Sequence, residues 1–446
     1  MSRQIQLSDH FTYKKLFKFT VPSIGGMIFT SIYGVIDGFF VSNFVGKIPF
    51  TGLNLIMPFI MMLGAVGNMI GMGGSALIAK TLGEGKREKA NSLFSFFIWF
   101  MARTGILLAV IGNIFIKDIA VFLGAEGDVL HNAVLYGRIC MCGIIFFALQ
   151  YTFQSFLIAA EKPKLGFGVT IAAGVTNIAL DALFIAVFRW GIAGAALATV
   201  TSQFIGAFIP MMMFLSPKNN WILKLGKPHF DSRALFKACA NGSSEFLSNI
   251  SMSVVGMLYN TQLLKYAGDD GVAAYGVIMY VNMIFIAVFF GFTMGVSPII
   301  SYNHGAENYD ELKSLFRKCC TVITCFSAVM LVCAKLLARP LAFIFTSYDQ
   351  ALLDMTCNAF SIYAFSFLFC GAGIFGSALF TALNNGLISA LLSFVRTVIL
   401  QITFVFLLPL FWGLDGIWWS AVFAEGLAAA SAILCILLFR KKYQYA

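Results

Sequence analysis

Long apolar runs separated by short polar or Gly/Pro breaks fill the whole chain. A helix needs roughly 20 apolar residues to cross a bilayer, and only a helix or a closed barrel satisfies its own backbone there. Twelve runs are long enough: about 15–45, 52–79, 92–117, 131–159, 166–188, 192–215, 234–266, 271–300, 314–338, 352–382, 386–410 and 414–439. Alternation with period two, the mark of a barrel strand, is absent. The pattern therefore predicts an all-α integral membrane protein with twelve transmembrane helices.

The polar breaks carry a direction. Lys and Arg number 21 in the N-terminal segment, the even-numbered connections and the C-terminal segment, against six in the odd-numbered connections. Positive residues favour the cytoplasmic side, so both termini are expected there, in a cell membrane. The longest break, SPKNNWILKLGKPHFDSR at 216–233, becomes a cytoplasmic linker between residues 1–215 (spans 1–6) and 234–446 (spans 7–12). The apolar run from Phe19 to Val45 is too long for the core of a signal peptide and shows no clear cleavage site, so no secretory signal is expected.

A central linker invites a comparison of the two halves, and a shift of 222 residues aligns them. GMGGSALIAKTLGEGKREKANSLF (71–94) lies over TMGVSPIISYNHGAENYDELKSLF (293–316), and Trp190, Gly191 and Gly194 fall on Trp412, Gly413 and Gly416. Six spans is an even number, so the second copy enters the membrane in the same sense as the first. Two parallel six-helix repeats around a central cavity suit alternating access, in which one bundle rocks against the other.

Composition narrows the class. The chain is 59% hydrophobic and 11% charged, where a soluble chain has about 25% charged residues. A cytosolic enzyme, a secreted disulfide scaffold and a disordered regulator are excluded. The net charge of +10 resembles a nucleic-acid signature, yet its positives sit between spans, so no nucleic-acid partner is expected. Ten cysteines lie in apolar stretches without a CxxC pair, and with only four histidines no metal site is expected of them, so the cysteines read as small buried apolar residues. GEGKREKA lacks the spacing and ending of a phosphate loop, so it reads as a basic turn, and no cofactor is expected. The 48 Phe and 19 Met read mainly as lipid-facing bulk and filler between helices.

Against that background the acids inside spans stand out. An acid at mid-membrane costs about 2.5–3.5 kcal/mol on insertion scales, so it faces a cavity or a partner. Asp37, Asp181, Glu245 and Glu425 qualify, with Arg103 and Arg396 as the buried positives. Asp37 lies nine residues before Gly46, Asp181 nine before Trp190, and Thr199 nine after it. At 1.5 Å per residue all three sit roughly 13 Å below the outer turns. Asn177 is one turn below Asp181, as Tyr33 is below Asp37. Two carboxylates, an amide and hydroxyls at one level can take up H+ or hold Na+, because adjacent carboxylates cannot both stay ionised cheaply. Pro22 offers the first helix a place to bend. In the last six spans Glu245 and Arg396 lie at similar depth, and Arg396 is expected to pair with either Glu245 or Glu425. The acid left over can meet a cationic substrate.

The segments VPSIGGMIFTSIYGVIDGFFVSNFVG, GMGGSALIAKTLGEGKREKA, NIALD, WGIAGAALAT and GSSEFLSNISMSVVGMLYN, in this order, resemble the multidrug and toxic compound extrusion (MATE) transporters, in their bacterial multidrug-exporting branch. The resemblance implies antiport: export of amphipathic, often cationic organic compounds in exchange for H+ or Na+, by a monomer in the bilayer. It places a cation-coupling site at Asp37, Asn177, Asp181 and Thr199, with Tyr33 and Tyr136 nearby, and the family's seventh-span acid at Glu245, which with the buried charges Arg396 and Glu425 makes up the expected substrate-binding set. Some members carry an acid in the tenth span, and YAFSFLFCGAGIFGSALFTAL has none, which favours coupling through the first six spans. A lipid-linked oligosaccharide flippase of the same superfamily is the alternative, disfavoured because its anionic substrate would meet more acids than arginines. An intramembrane enzyme, a channel and a sugar-porter type of transporter fit less well.

Overall fold

The computed structural model describes residues 5–216, 220–346 and 349–445. Arg3 and Lys218, both used in the charge count, lie outside the described residues. The first six spans are the helices Tyr13–Val45, Lys47–Gly83, Arg87–Phe122, Gly127–Ala159, Pro163–Val187 and Gly191–Leu215. The next helical run, Ser232–Gly305, holds the seventh and eighth spans, divided at Gly268 where φ is 63°. Tyr309–Thr346 is the ninth. The tenth is the pair Gln350–Tyr363 and Ser366–Ala382, bent by 45°, and the eleventh is Gly386–Leu407. Pro409–Tyr443 contains the twelfth, entered at Gly413 with φ 56°. Twelve membrane-spanning helices result. Most run a few residues past the apolar runs, because their last turns are made of Lys, Glu and Gly that apolar periodicity does not mark.

The 222-residue offset is built into the backbone. Left-handed turn residues recur as Gly46 with Gly268, Gly191 with Gly413, and Gly85 with Glu307. Positive φ is cheap only without a Cβ, so the glycines sit where a span must reverse direction within two or three residues.

The halves meet on the face that bears the termini and linker, through paired glycines. A Cβ on Gly83 would overlap the Tyr302 carbonyl, and one on Gly305 would overlap the Lys80 carbonyl. Positions 80 and 83 are the repeat counterparts of 302 and 305, so these two contacts are mirror copies about one axis between the second and eighth spans. The same crossing recurs higher up: Gly73 and Gly242 bring the second and seventh spans together, while Gly295 and Thr20 do so for the eighth and first.

Two straps reinforce this side. Arg87 donates to the Trp221 and Ile222 carbonyls at 3.0 and 3.2 Å, Asn91 Oδ1 accepts from Lys224 N at 2.9 Å, and Ser95 Oγ accepts from Gly226 N at 2.8 Å. The four-residue spacing puts all three on one helix face. The linker thus lies along the third span before the seventh begins. Residues 5–12 do the same to the ninth span. Glu311 accepts from Phe11 N at 2.9 Å and meets His10 Nδ1 at 2.5 Å, while Leu7 and Phe11 are buried. Leu7 N also donates to Glu161 Oε1 at 2.8 Å. Burial pushes the Glu161 carboxyl upward, opposed by that amide. Among the described residues, every hydrogen bond joining the halves lies on this face.

Gly305→Ala should cost about 1–3 kcal/mol by overpacking and lower the melting temperature of the purified protein in detergent. Gly256→Ala, where a Cβ meets open space, should leave it unchanged or slightly raised. Equal stability of the two variants would show that the glycine contact does not hold the halves together.

Candidate functional site

In the first six spans the structure brings Asp37 and Asp181 into side-chain contact. Both are buried. Asp37 lies near the end of helix Tyr13–Phe40, just before the π-helical turn Val41–Val45, and Asp181 is the last residue of helix Pro163–Asp181, before the π-helical turn Ala182–Val187. Such turns interrupt the regular ladder and often mark functional sites. Asp37 Oδ1 and both carboxyl oxygens of Asp181 have no hydrogen-bond donor. An ionised carboxylate only accepts, so two of them in contact do nothing to satisfy one another. The arrangement asks for a shared proton or a cation.

Tyr33 and Tyr136 both lie within electrostatic reach of Asp37. Tyr33 occupies its place because position 174 is glycine: a Cβ there would stand 2.8 Å from Tyr33 Cδ1 and 2.5 Å from Phe29 Cε1. Tyr136 is fully buried, and Thr199 sits beside it. Thr199 therefore joins the cluster through Tyr136, while its neighbour Ser202 bonds back to the Thr199 carbonyl at 2.8 Å. Asn177 is buried one turn below Asp181, with no hydrogen bond to either acid among the described residues. Gly34 and Gly38, flanking Asp37, face open space.

In the last six spans the pairing of Arg396 is with Glu425: Arg396 Nε donates to Glu425 Oε2 at 2.8 Å. Gln401 Nε2 reaches Glu425 Oε1 at 3.5 Å, and Tyr259 OH donates to Gln401 Oε1 at 2.9 Å. Tyr259 in turn stacks on Tyr275, with ring centroids 5.3 Å apart and planes 2° from parallel. Gln401 and Tyr259 were missed from the sequence, although an amide inside an apolar span is the same kind of signal as an acid there. Glu245 is buried and its carboxyl has no hydrogen bond among the described residues. It lies in the electrostatic field of Arg396. Glu245 is thus the acid left over.

One expectation is corrected. Arg103 is exposed, not buried. The third span packs only against the second and fourth among its larger helix contacts, so it lies at the edge of the bundle, and a long guanidinium side chain on such a face extends outward. Pro22 is buried inside a first helix that runs unbroken from Tyr13 to Phe40.

The MatE family model matches residues 22–183 and again 246–407. The chain is similar to the multidrug export protein MepA of Staphylococcus aureus (strain MRSA252), with 26% identity over 435 residues, 96% of this chain and 94% of that protein. Its fold matches a solved structure described as the outward-facing conformation of a multidrug resistance MATE family transporter of the MOP superfamily, with TM-score 0.93, 22% identity, and 100% and 99% of the two chains covered. A MATE crystal structure in the straight conformation matches with TM-score 0.93, 21% identity and full coverage of both chains.

Glu425→Gln leaves the Arg396 guanidinium without its counter-charge, which should cost about 3–5 kcal/mol. Thermal unfolding in detergent should show a clear drop for this variant and little change for Glu245→Gln, whose carboxyl has no partner to lose. A reversed order would mean that Glu245, not Glu425, neutralises Arg396.

Proposed function

Because this chain belongs to the MatE family, a family of transporters and not of enzymes, we propose that it is a secondary active exporter of amphipathic, cationic organic compounds, driven by inward movement of H+ or Na+. The observation that carries the coupling half of this reading is the buried Asp37–Asp181 contact with three donorless oxygens. A shared proton takes such a pair from two negative charges to one and relieves their repulsion without further ligands. Na+ is the second reading, favoured by the oxygens of Asn177 and Thr199 at the same level. The face bearing the termini is the cytoplasmic one, as the Lys and Arg distribution indicates. Since the halves close on that face, the cytoplasmic side is the sealed one.

In this scheme Glu245 is the substrate-facing acid. It supplies a buried acid, and aromatic and methionine side chains of a transport cavity accept varied apolar and cationic shapes beside it. Arg396 and Glu425 fix the charge of the same region. The MepA relatives are multidrug export proteins by name, which agrees with a site selecting by charge and apolarity. The protein works as a monomer, residues 1–215 and 234–446 forming two lobes that rock about the glycine contacts, with 216–233 linking them.

Asp37→Asn should abolish ion-driven dye efflux from proteoliposomes while the protein still inserts and folds, and efflux at the native rate would refute the coupling assignment. Running the native protein under a proton gradient alone and then a sodium gradient alone identifies the ion. Glu245→Gln should slow export of a cationic dye at least tenfold relative to a neutral one. Equal slowing of both would remove Glu245 from charge recognition.

A further inference from the structure

The two halves handle buried charge differently. On the repeat offset Asp37 falls on Tyr259, so the seventh span offers a phenol where the first offers an acid. The acid of the second half comes instead from the twelfth span, as Glu425, and it arrives with its own cation. Arg396 Nε holds Glu425 Oε2 at 2.8 Å, and Gln401 reaches the other oxygen. The first half leaves three carboxylate oxygens without a donor.

Arg396 is placed by two local devices. It lies in the π-helical turn Val395–Leu400, the third such turn among the described residues, the other two adjoining Asp37 and Asp181. It also lies flat against Gly373, where a Cβ would stand 3.0 Å from its Cδ and 3.2 Å from its Nε. The side chains of Arg396 and Glu425 are each 11% exposed, so water screens the pair little. A guanidinium cannot lose its proton in a protein. Glu425 is thus neutralised permanently, and the buried charged groups around Arg396 are two acids and this one fixed cation, a net charge of minus one with Glu245 ionised.

We propose that Arg396 is a built-in counter-ion that sets the charge of an accepted substrate at one: monocationic amphiphiles pair with Glu245, whereas dications find Glu425 occupied and a guanidinium facing them. Arg396 is a specificity-determining residue on this account, and the account rests on the export reading above. Releasing Glu425 turns the same region into a site for two positive charges.

Ethidium and propidium test this, since they share one ring system and differ by a second quaternary ammonium. Their binding to the purified protein is read by fluorescence polarisation, independently of any ion gradient. The native protein should prefer ethidium. Arg396→Gln should raise propidium affinity about tenfold relative to ethidium, and Arg396→Gln combined with Glu425→Gln, which restores the net charge, should return the native preference. Gln401→Glu adds an acid while keeping Arg396 and the acceptor for Tyr259, so it should also favour propidium; it serves if Arg396→Gln does not fold. An unchanged dye ratio in Arg396→Gln or, failing that variant, in Gln401→Glu would overturn the inference, as would a propidium gain that persists in the double variant. Binding of neither dye by the native protein would overturn the export reading, and this inference with it.

Discussion

Two backbone contacts set the geometry of the whole bundle: Gly83 against the Tyr302 carbonyl and Gly305 against the Lys80 carbonyl. Between helices in lipid there is no hydrophobic drive, so close approach depends on small residues that let backbones touch. Placing that contact at matching positions of two repeats puts it on the axis relating them. Once the second and eighth spans are pinned at one end, the first spans of each half are drawn across to the opposite half at the same level, and the preceding segments lie down as straps. No comparable device joins the halves at the other face among the described residues. The bundle is therefore closed at one end by geometry, and its interior charges lie beyond the closure.

Those charges are the second constraint. A carboxylate removed from water must find donors, a counter-charge or a proton. Glu425 finds a guanidinium, and the Gln401 and Tyr259 side chains complete the chain of hydrogen bonds. Asp37 and Asp181 find only each other. One arrangement is satisfied at all times and the other is satisfied only when something binds. A transporter that couples one flux to another needs that asymmetry, because a site that is always neutral cannot sense an ion. A site neutralised by one of its own side chains can still discriminate among substrates.

The spans were legible because lipid enforces both length and apolarity, and the repeat was legible because its turn glycines and the GMGG and TMGV segments cannot change freely. The Asp37–Asp181 contact was also within reach, since counting residues from Gly46 and Trp190 gives depth. Depth does not give azimuth, however. Glu245 and Glu425 are both plausible partners of Arg396 by depth, and the choice depends on helix rotation. The π-helical turn at Val395–Leu400 shifts that rotation. Arg103 fails for a related reason: its place in the third span says nothing of which way that span faces, and the span turns out to be peripheral. The straps were hidden because their bonds come from backbone groups of irregular segments, which leave no periodic trace.

Under the export reading, the first span is where ion and movement meet. Its near end, Thr20 to Ile24, is held against the eighth span, where a Cβ on Gly291 would come within 2.5 Å of Ile24 Cα and one on Gly295 within 3.0 Å of Thr20. Its far end carries Asp37, fifteen residues and about 22 Å beyond Pro22. Proline lacks the N–H that would bond one turn back, so the helical ladder is weakest at this stretch. Neutralising Asp37 and Asp181 removes a repulsion that acts only on the far half of the helix. The near half cannot follow without breaking the glycine contacts, so any reorientation of the far half concentrates at the weakest part of the ladder. The helix runs unbroken from Tyr13 to Phe40 here, with the closure on the face of the termini intact, which is the state expected before that reorientation.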